Sequence, residues 1–419
     1  MPSHFLEGKK IIVSGAGFAG LSFIIALRQN WNPAFKPPQI TIYEREGRHL
    51  PRSRQGYSLS LHGFDEDGGL VAARDIGVLD DMMKHAVSGT DSIGGFRIWS
   101  SSWAQMLSVR FDPYKDLPTS GMRIIRNDMR EVCVSAAEKL YPITWNTMVT
   151  SAEKLPNGRI RTHVRPSESG READSFTDDC DLLIAADGAH SKIRASFRPG
   201  DNLEYAGAVQ MGGVARFPNG LPELVTKNWG MVISGEGVGC FVSPVDATGV
   251  VWALSFLEPQ STKKYDTEST KDFEAFKDEA LTRGHMIQEP FQTIVHATEQ
   301  HSLFRFPARD KKPFPHAGDE NLKGVVFLGD TNHAVSPFAG NGANMALKDG
   351  VDLARQLCNS QSMEEALEAY DKLALPRAEK TLKQSHQRIA HAHCTGWYYY
   401  AMRGMLLAGS TAMFLMGRV

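Results

Sequence analysis

Residues 9–28 read KKIIVSGAGFAGLSFIIALR: a short apolar run, glycines spaced G-x-G-x-x-G, then apolar residues at helical spacing (Phe18, Leu21, Ile25). Each glycine has its own job in such a turn. Gly15 allows the tight reversal, Gly17 lets a ligand approach the backbone, and Gly20 lets helix and strand pack closely. The helix start presents free N–H groups and a partial positive charge, worth roughly 0.3–1 kcal/mol toward an anion. A second strand follows, QITIYER at 39–45, closed by Glu44. A carboxylate there accepts hydrogen bonds from a ribose 2′-hydroxyl and repels a 2′-phosphate. The order strand, glycine turn, helix, strand, acid therefore predicts a parallel sheet that holds an adenosine diphosphate, either FAD or NAD.

The chain has 419 residues, enough for two domains, with 42% hydrophobic and 22% charged residues. A net charge of -2 gives no electrostatic case for nucleic acid. Cys133, Cys180, Cys240, Cys358 and Cys394 are odd in number and never form CxxC, which argues against a disulfide framework and fits a reducing, cytoplasmic setting. Three glycines interrupt the apolar run 11–27, against a signal peptide. The apolar tail AMRGMLLAGSTAMFLMGRV falls short of the roughly 20 residues a spanning helix needs. It reads as a docked helix or a peripheral membrane contact.

The texture changes along the chain. Helix is predicted from Leu70 to Ala86, a hairpin over FRIWSSSWAQMLSVRF, and a helix capped by Asn127 or Asp128. From 204 to about 300 the chain alternates strands with polar turns, as an antiparallel sheet with one covered face does. A helix is expected near 270–287, and the last sixty residues read as mostly helical. His386 and His393 stand seven apart, not at the usual four of helical metal ligands, and no acid lies nearby in sequence, so no metal is assigned.

Two further stretches stand out: DLLIAADGAHSKIR at 181–194, and GVVFLGDTNHAVSPFAGNGANMALKDG at 324–350. With GAGFAG they resemble, in order and spacing, the single-component FAD-dependent aromatic hydroxylases. These are the flavoprotein monooxygenases typified by para-hydroxybenzoate and salicylate hydroxylases, and the tetracycline-inactivating monooxygenases look nearer still. IIRNDMR at 124–130 and GYSLSLHG at 56–63 are similar to segments of those enzymes, and the resemblance covers about residues 8–360. It implies an α/β fold: a Rossmann-like FAD-binding domain (1–92, 113–203, 294–358), a second domain of antiparallel β-sheet (93–112, 204–293) and a C-terminal helical segment (359–419).

It also implies roles. Gly15, Gly17 and Gly20 hold the pyrophosphate, Glu44 the ribose, and Arg45 lies over the adenine. Arg126 reaches the pyrophosphate–ribityl region, Asp187 and Gly188 touch FAD, and Asp330 bonds a ribityl hydroxyl. Arg54 and Gly56 lead into the flavin strand, and Pro337 lies beside the flavin loop. Gly340, Gly342, Ala343 and Asn344 surround the pyrimidine edge. A physical reason supports that last assignment: bare N–H groups at a helix start stabilise the anionic edge of a reduced flavin, and glycine lets the flat ring approach.

The chain lacks a second GxGxxG, so NADPH or NADH is expected to dock and leave, with the basic stretch Arg45–Arg54 as a landing site or a solvated loop. The activity implied is insertion of one oxygen atom from O₂ into an aromatic or polycyclic molecule. Hydroxylation leads, with Baeyer–Villiger oxygenation or epoxidation as alternatives on one scaffold. A non-catalytic FAD-fold escort would not need Glu44, Asp187–Gly188 and Asp330 together. Gln210, Gly212, Phe241 and Pro337 are the substrate candidates, and Trp229, Trp252 and Phe256 are either further candidates or core. No catalytic base is named. One departure is Ser60, where the tetracycline-inactivating enzymes carry an acid; a flavin contact made by that acid would be weakened or replaced.

Overall fold

The computed structural model describes residues 3–50, 57–88, 95–109, 111–167, 174–226, 228–259 and 263–415. Strand β1 (Lys10–Ser14) leads into α1 (Phe18–Asn30) and β2 (Gln39–Tyr43). Then come β3 (Ser58–His62), α2 (Gly69–Asp75), α3 (Leu79–Lys84), β4 (Ala86–Ser88), β5 (Phe96–Ser100), β6 (Gln105–Val109), β7 (Gly121–Ile125) and α4 (Arg126–Glu138). After them follow β8 (Ile143–Thr144), β9 (Thr147–Lys154), β10 (Ile160–Pro166), β11 (Phe176–Cys180), β12 (Leu182–Ala185) and α5 (Lys192–Phe197).

The second half holds β13 (Glu204–Arg216), β14 (Trp229–Ile233), β15 (Val238–Pro244), β16 (Gly249–Leu257), α6 (Thr270–Arg283), α7 (Phe291–His296) and β17 (Phe304–Asp310). It ends in β18 (Val325–Phe327), α8 (Asp330–His333), α9 (Gly342–Asn359), α10 (Met363–Ala392) and α11 (Gly396–Leu415).

The apolar runs IIV and LLIA lie side by side in a parallel five-stranded sheet, ordered β18-β12-β1-β2-β8. Their side chains are buried on both faces, which is why these strands read as continuous apolar runs. Helix α9 returns from the far end of the chain to pack on α1. A Cβ at Gly350 would stand 2.1 Å from Ser22 Oγ, so the two backbones touch. The FAD-binding expectation for this lobe matches its parallel, helix-covered architecture.

The second lobe is a seven-stranded sheet, ordered β17-β13-β16-β15-β14-β5-β6, antiparallel except where β14 meets β5. Side chains alternate between its faces. Val209, Met211, Trp252, Leu254 and Phe256 pack on one face with Phe276, Ile294 and Val295 of α6 and α7. Gln210, Val214, Met231, Phe241, Val251 and Ala253 line the cavity on the other.

Three expectations change. The predicted helix 70–86 breaks into two at Gly77, where φ is 71°. Helix α4 starts at Arg126 after Ile125 with no side-chain cap, so neither Asn127 nor Asp128 caps it. Strand β17 belongs to the seven-stranded sheet, so the second lobe runs past residue 293 to Asp310. Of the two readings of the strand aromatics, Trp252 and Phe256 take the core one: Trp252 is fully buried and donates from Nε1 to Thr298 Oγ1 at 2.9 Å, and Phe256 lies under the Arg283 guanidinium.

The tail is a docked helix. Tyr399 and Met402 of α11 pack with Met106 and Ile233, while Trp397, Tyr400 and Met405 stay exposed. Among the described residues no helix is long and apolar enough to cross a membrane.

Candidate functional site

One cleft of about 2360 Å³ runs from the first glycine turn to the inner face of the seven-stranded sheet. That exceeds the roughly 300–1,000 Å³ of an ordinary small-molecule pocket and suits a dinucleotide plus a second molecule.

At the glycine-turn end Gly15 has φ of 106°, and a Cβ there would stand 2.3 Å from the Ala186 carbonyl oxygen. A Cβ on Gly20 would lie 2.2 Å from Gly15 O, so α1 rests on the turn itself. Gly17 faces open space, with no protein atom within 4 Å of its missing Cβ. The Glu44 carboxylate is buried and braces this turn, accepting from Ala16 N at 2.6 Å and Glu46 N at 2.8 Å. Arg45 points outward at the cleft mouth and pairs with Glu46 at 3.5 Å.

Of the basic stretch after Glu44, the described part reaches only to residue 50. Arg48 is held by Glu131 and Glu138, which holds the Glu131 carboxyl down to about 2. Arg54 and Gly56, with Arg52 and Gln55, lie outside the described residues.

In the middle, Gly188 (φ 87°) donates its N–H to Thr331 Oγ1 at 3.0 Å. Asp187 accepts from Lys192 N at 2.9 Å through Oδ2, while its buried Oδ1 has no partner. Burial raises the Asp187 carboxyl pKa. Arg194 links this motif to α8 by donating to Thr331 O and Ala189 O, both at 2.7 Å.

Asp330 lines the cleft and is exposed to it, and desolvation by the protein around it raises its pKa as well. Behind it lies an ion network with no sequence signal. His333 meets Asp349 at 2.7 Å, and Arg377 contacts Asp349, Asp352 and Asp67, each at 2.9 Å. Burial favours neutral His333, but Asp349 outweighs it and the ring's pKa is raised. Arg126 lies on the cleft wall over the Phe18 ring.

The loop that follows makes one 3-10 turn at Pro337–Ala339, reverses at Gly340 (φ 60°) and starts α9 at Gly342 rather than Met345. Pro337, Gly340, Gly342 and Ala343 all line the cleft, so the first turn of α9 turns its N–H groups toward that space. Asn344 does not. Its side chain is fully buried, with Oδ1 accepting from His62 N (2.9 Å) and Gly69 N (3.0 Å) and Nδ2 donating to Ser60 O (2.9 Å). It is a staple between α9, β3 and α2, so its side-chain amide is not turned to the cleft.

At the sheet end Gln210 and Phe241 line the cavity with Trp229, Met231, Val251 and Phe304. Gly212 does not reach it. Its β17 partner Phe304 lies over it, with Phe304 Cζ 2.9 Å from the missing Cβ and Trp252 O at 1.9 Å. Ser60 is bound by Arg123, whose Nη1 donates to Oγ at 2.7 Å. His386 of α10 and His393, which follows its last residue, have separate partners. His386 meets Asp310 at 2.8 Å, an acidic neighbour the sequence did not indicate, and His393 meets Ser255 at 3.0 Å. Among the described residues no cluster could hold a metal ion.

Residues 49–385 match the family model described as FAD binding domain. The chain belongs to this family. It is a flavoprotein monooxygenase of the aromatic-hydroxylase type, and its cofactor is FAD. The chain is 44% identical over 394 residues to monooxygenase cfoF of Aspergillus candidus, covering 94% of this chain and 93% of that one. It is 24% identical to FAD-dependent monooxygenase vrtH of Penicillium aethiopicum, covering 92% and 93%. In fold it is similar to Klebsiella pneumoniae HpxO complexed with FAD and uric acid (TM-score 0.75, 20% identity, 99% and 97% covered). It is also similar in fold to the tetracycline destructase Tet(55) (0.69, 16%, 98% and 97%).

The flavoprotein's own residues fit the cofactor. The open space at Gly17, the unpartnered Asp187 Oδ1 and the free start of α9 are three unmet contacts along one cleft. Sequence reasoning missed His62, Arg123 and Arg388, which also line it. His62 ends the alternation Ser58, Ser60, His62 on the cleft face of β3, a signal that was available. Arg388 donates to Phe338 O and Ala339 O from a helix 50 residues away, and nothing local announces it.

Proposed function

We propose that this flavoprotein uses NADPH or NADH and O₂ to hydroxylate an aromatic or polycyclic small molecule. The carrying observation is the continuity of the cleft from the glycine turn to a mostly apolar sheet face. Gly15, Gly17 and Glu44 hold the adenosine diphosphate portion, with Arg126, Asp187 and Asp330 along the middle. Pro337, Gly340, Gly342 and Ala343 hold the ring, whose negative edge meets the N–H groups that open α9. When bound, FAD supplies hydride acceptance and oxygen activation. Trp229, Met231, Phe241 and Phe304 exclude water and orient an apolar ring system, while Gln210 offers one amide for direction.

The test is consumption of NADPH or NADH and O₂ by purified protein carrying one FAD per chain, over a panel of phenolic and polycyclic compounds. Stimulated turnover with ¹⁸O from labelled O₂ in the product is expected. Direct reduction of the flavin by the organic substrate, with all electrons recovered as peroxide, would refute the reading in favour of an oxidase.

A further inference from the structure

Among the described residues Arg123 is a buried cation without a counter-ion. It stands on β7 directly opposite Ser60 of β3, on the face turned to the cleft, and the residue is only 3% exposed. Its Nη1 donates to Ser60 Oγ at 2.7 Å, and its Nη2 donates to Ser58 O at 2.7 Å and to Ser58 Oγ. All three acceptors are neutral. Nε is buried with no partner among the described residues, so not all of the five N–H donors of a guanidinium are used there. The Phe241 ring of the sheet lobe lies 5.4 Å away and offers its face, and Ser58 Oγ donates in turn to Pro244 O of the same strand. The guanidinium thus sits at the joint between the two lobes. Burial alone pushes its pKa down to about 9.

Proteins seldom keep such a group unpaired, because removing a charge from water costs several kcal/mol unless another charge answers it. Of the other buried arginines of the cleft, Arg377 has acids around it, and Arg130 lies near Glu44 and Glu131. At Arg123 the facing position is Ser60, a neutral residue.

We propose that Arg123 is a specificity-determining residue that receives an anionic oxygen of the substrate: a phenolate, an enolate or a carboxylate. Ser58 and Ser60 aim the guanidinium without neutralising it, and Phe241 covers one side of the site. The missing counter-charge arrives with the substrate, so the pocket selects the ionised form of an acidic ring system over a neutral one of equal shape. This rests on the sheet end of the cleft being the substrate end.

The probe is 4-nitrophenol, whose phenolate absorbs in the visible. It is titrated into FAD-loaded protein, with binding measured by dialysis and protonation by difference spectra across pH. An opposite charge nearby lowers an acid's pKa by about 1–3 units. The bound phenol should therefore ionise at least about one unit lower than the free one, a tenfold preference for phenolate. R123M should lose that preference, and R123K should keep part of it. S60D, which supplies an internal counter-ion without truncating the arginine, should lose it too and guards against a misfolded R123M.

The proposal is overturned if the wild type binds the neutral form equally well, binds neither form, or if R123M or S60D keeps the preference. Phenolate binding without any oxygenated product would uphold the site and refute the proposed reaction. Turnover of acidic phenols with no phenolate preference would do the reverse.

Discussion

Asn344→Leu separates two roles that one position in a flavin loop can have. If the amide touched the cofactor, its loss would weaken FAD binding and leave the empty protein unchanged. The structure predicts the opposite. The side chain is fully buried and satisfies His62 N–H, Gly69 N–H and the Ser60 carbonyl. Leucine has similar volume but no polar atom, so two donors and one acceptor lose their partners. Each such buried group costs about 1–3 kcal/mol. Some relief comes from water or small shifts, so the net loss should be about 3–6 kcal/mol, large against the 5–15 kcal/mol of a typical domain. The assay is urea unfolding of the FAD-free protein, followed by tryptophan fluorescence and far-UV circular dichroism. A lower midpoint without FAD is expected, with weaker FAD binding only as a consequence. An unchanged apo midpoint together with reduced FAD affinity would refute the staple and restore the direct contact.

The glycine turn gives a matched pair. G17A should leave apo stability unchanged, because its Cβ meets no protein atom, and should raise the FAD dissociation constant on fluorescence titration. G20A forces a Cβ to 2.2 Å from Gly15 O and should lower the apo melting temperature first; equal apo stabilities would sink the distinction. The His333–Asp349 pair predicts a pH dependence. His333 is raised in the fold, so its contribution is fully present below the unfolded value of about 6.5 and is lost as pH rises through the folded value. Urea midpoints should therefore fall with pH above about 6.5 in the wild type and fall less in H333N; parallel profiles would remove His333 from that dependence.

What was legible in the sequence was what contiguous backbone does. GAGFAG, Asp187–Gly188 and the 337–343 loop each act through local chain geometry, so their residue order alone carried their meaning. Side chains that act across register carried no such signal. Asn344 looked like part of the loop it follows, yet its partners are at 60, 62 and 69, brought together only when α9 packs on β3 and α2. The strand aromatics stayed open between core and substrate for a related reason. Alternation separates Trp252 and Phe256 from Phe241, but which set faces core depends on where α6 and α7 lie, and these come later in the chain.

Ser60 combines both problems. Against a family that places an acid there, the residue alone reads as a lost contact. Only the pairing of β3 with β7 brings Arg123 opposite it, 63 residues on, and turns the missing acid into a cation left uncompensated. The two positions have to be read together, because an arginine at 123 facing an acid at 60 would be an ordinary buried ion pair with nothing left to offer a ligand.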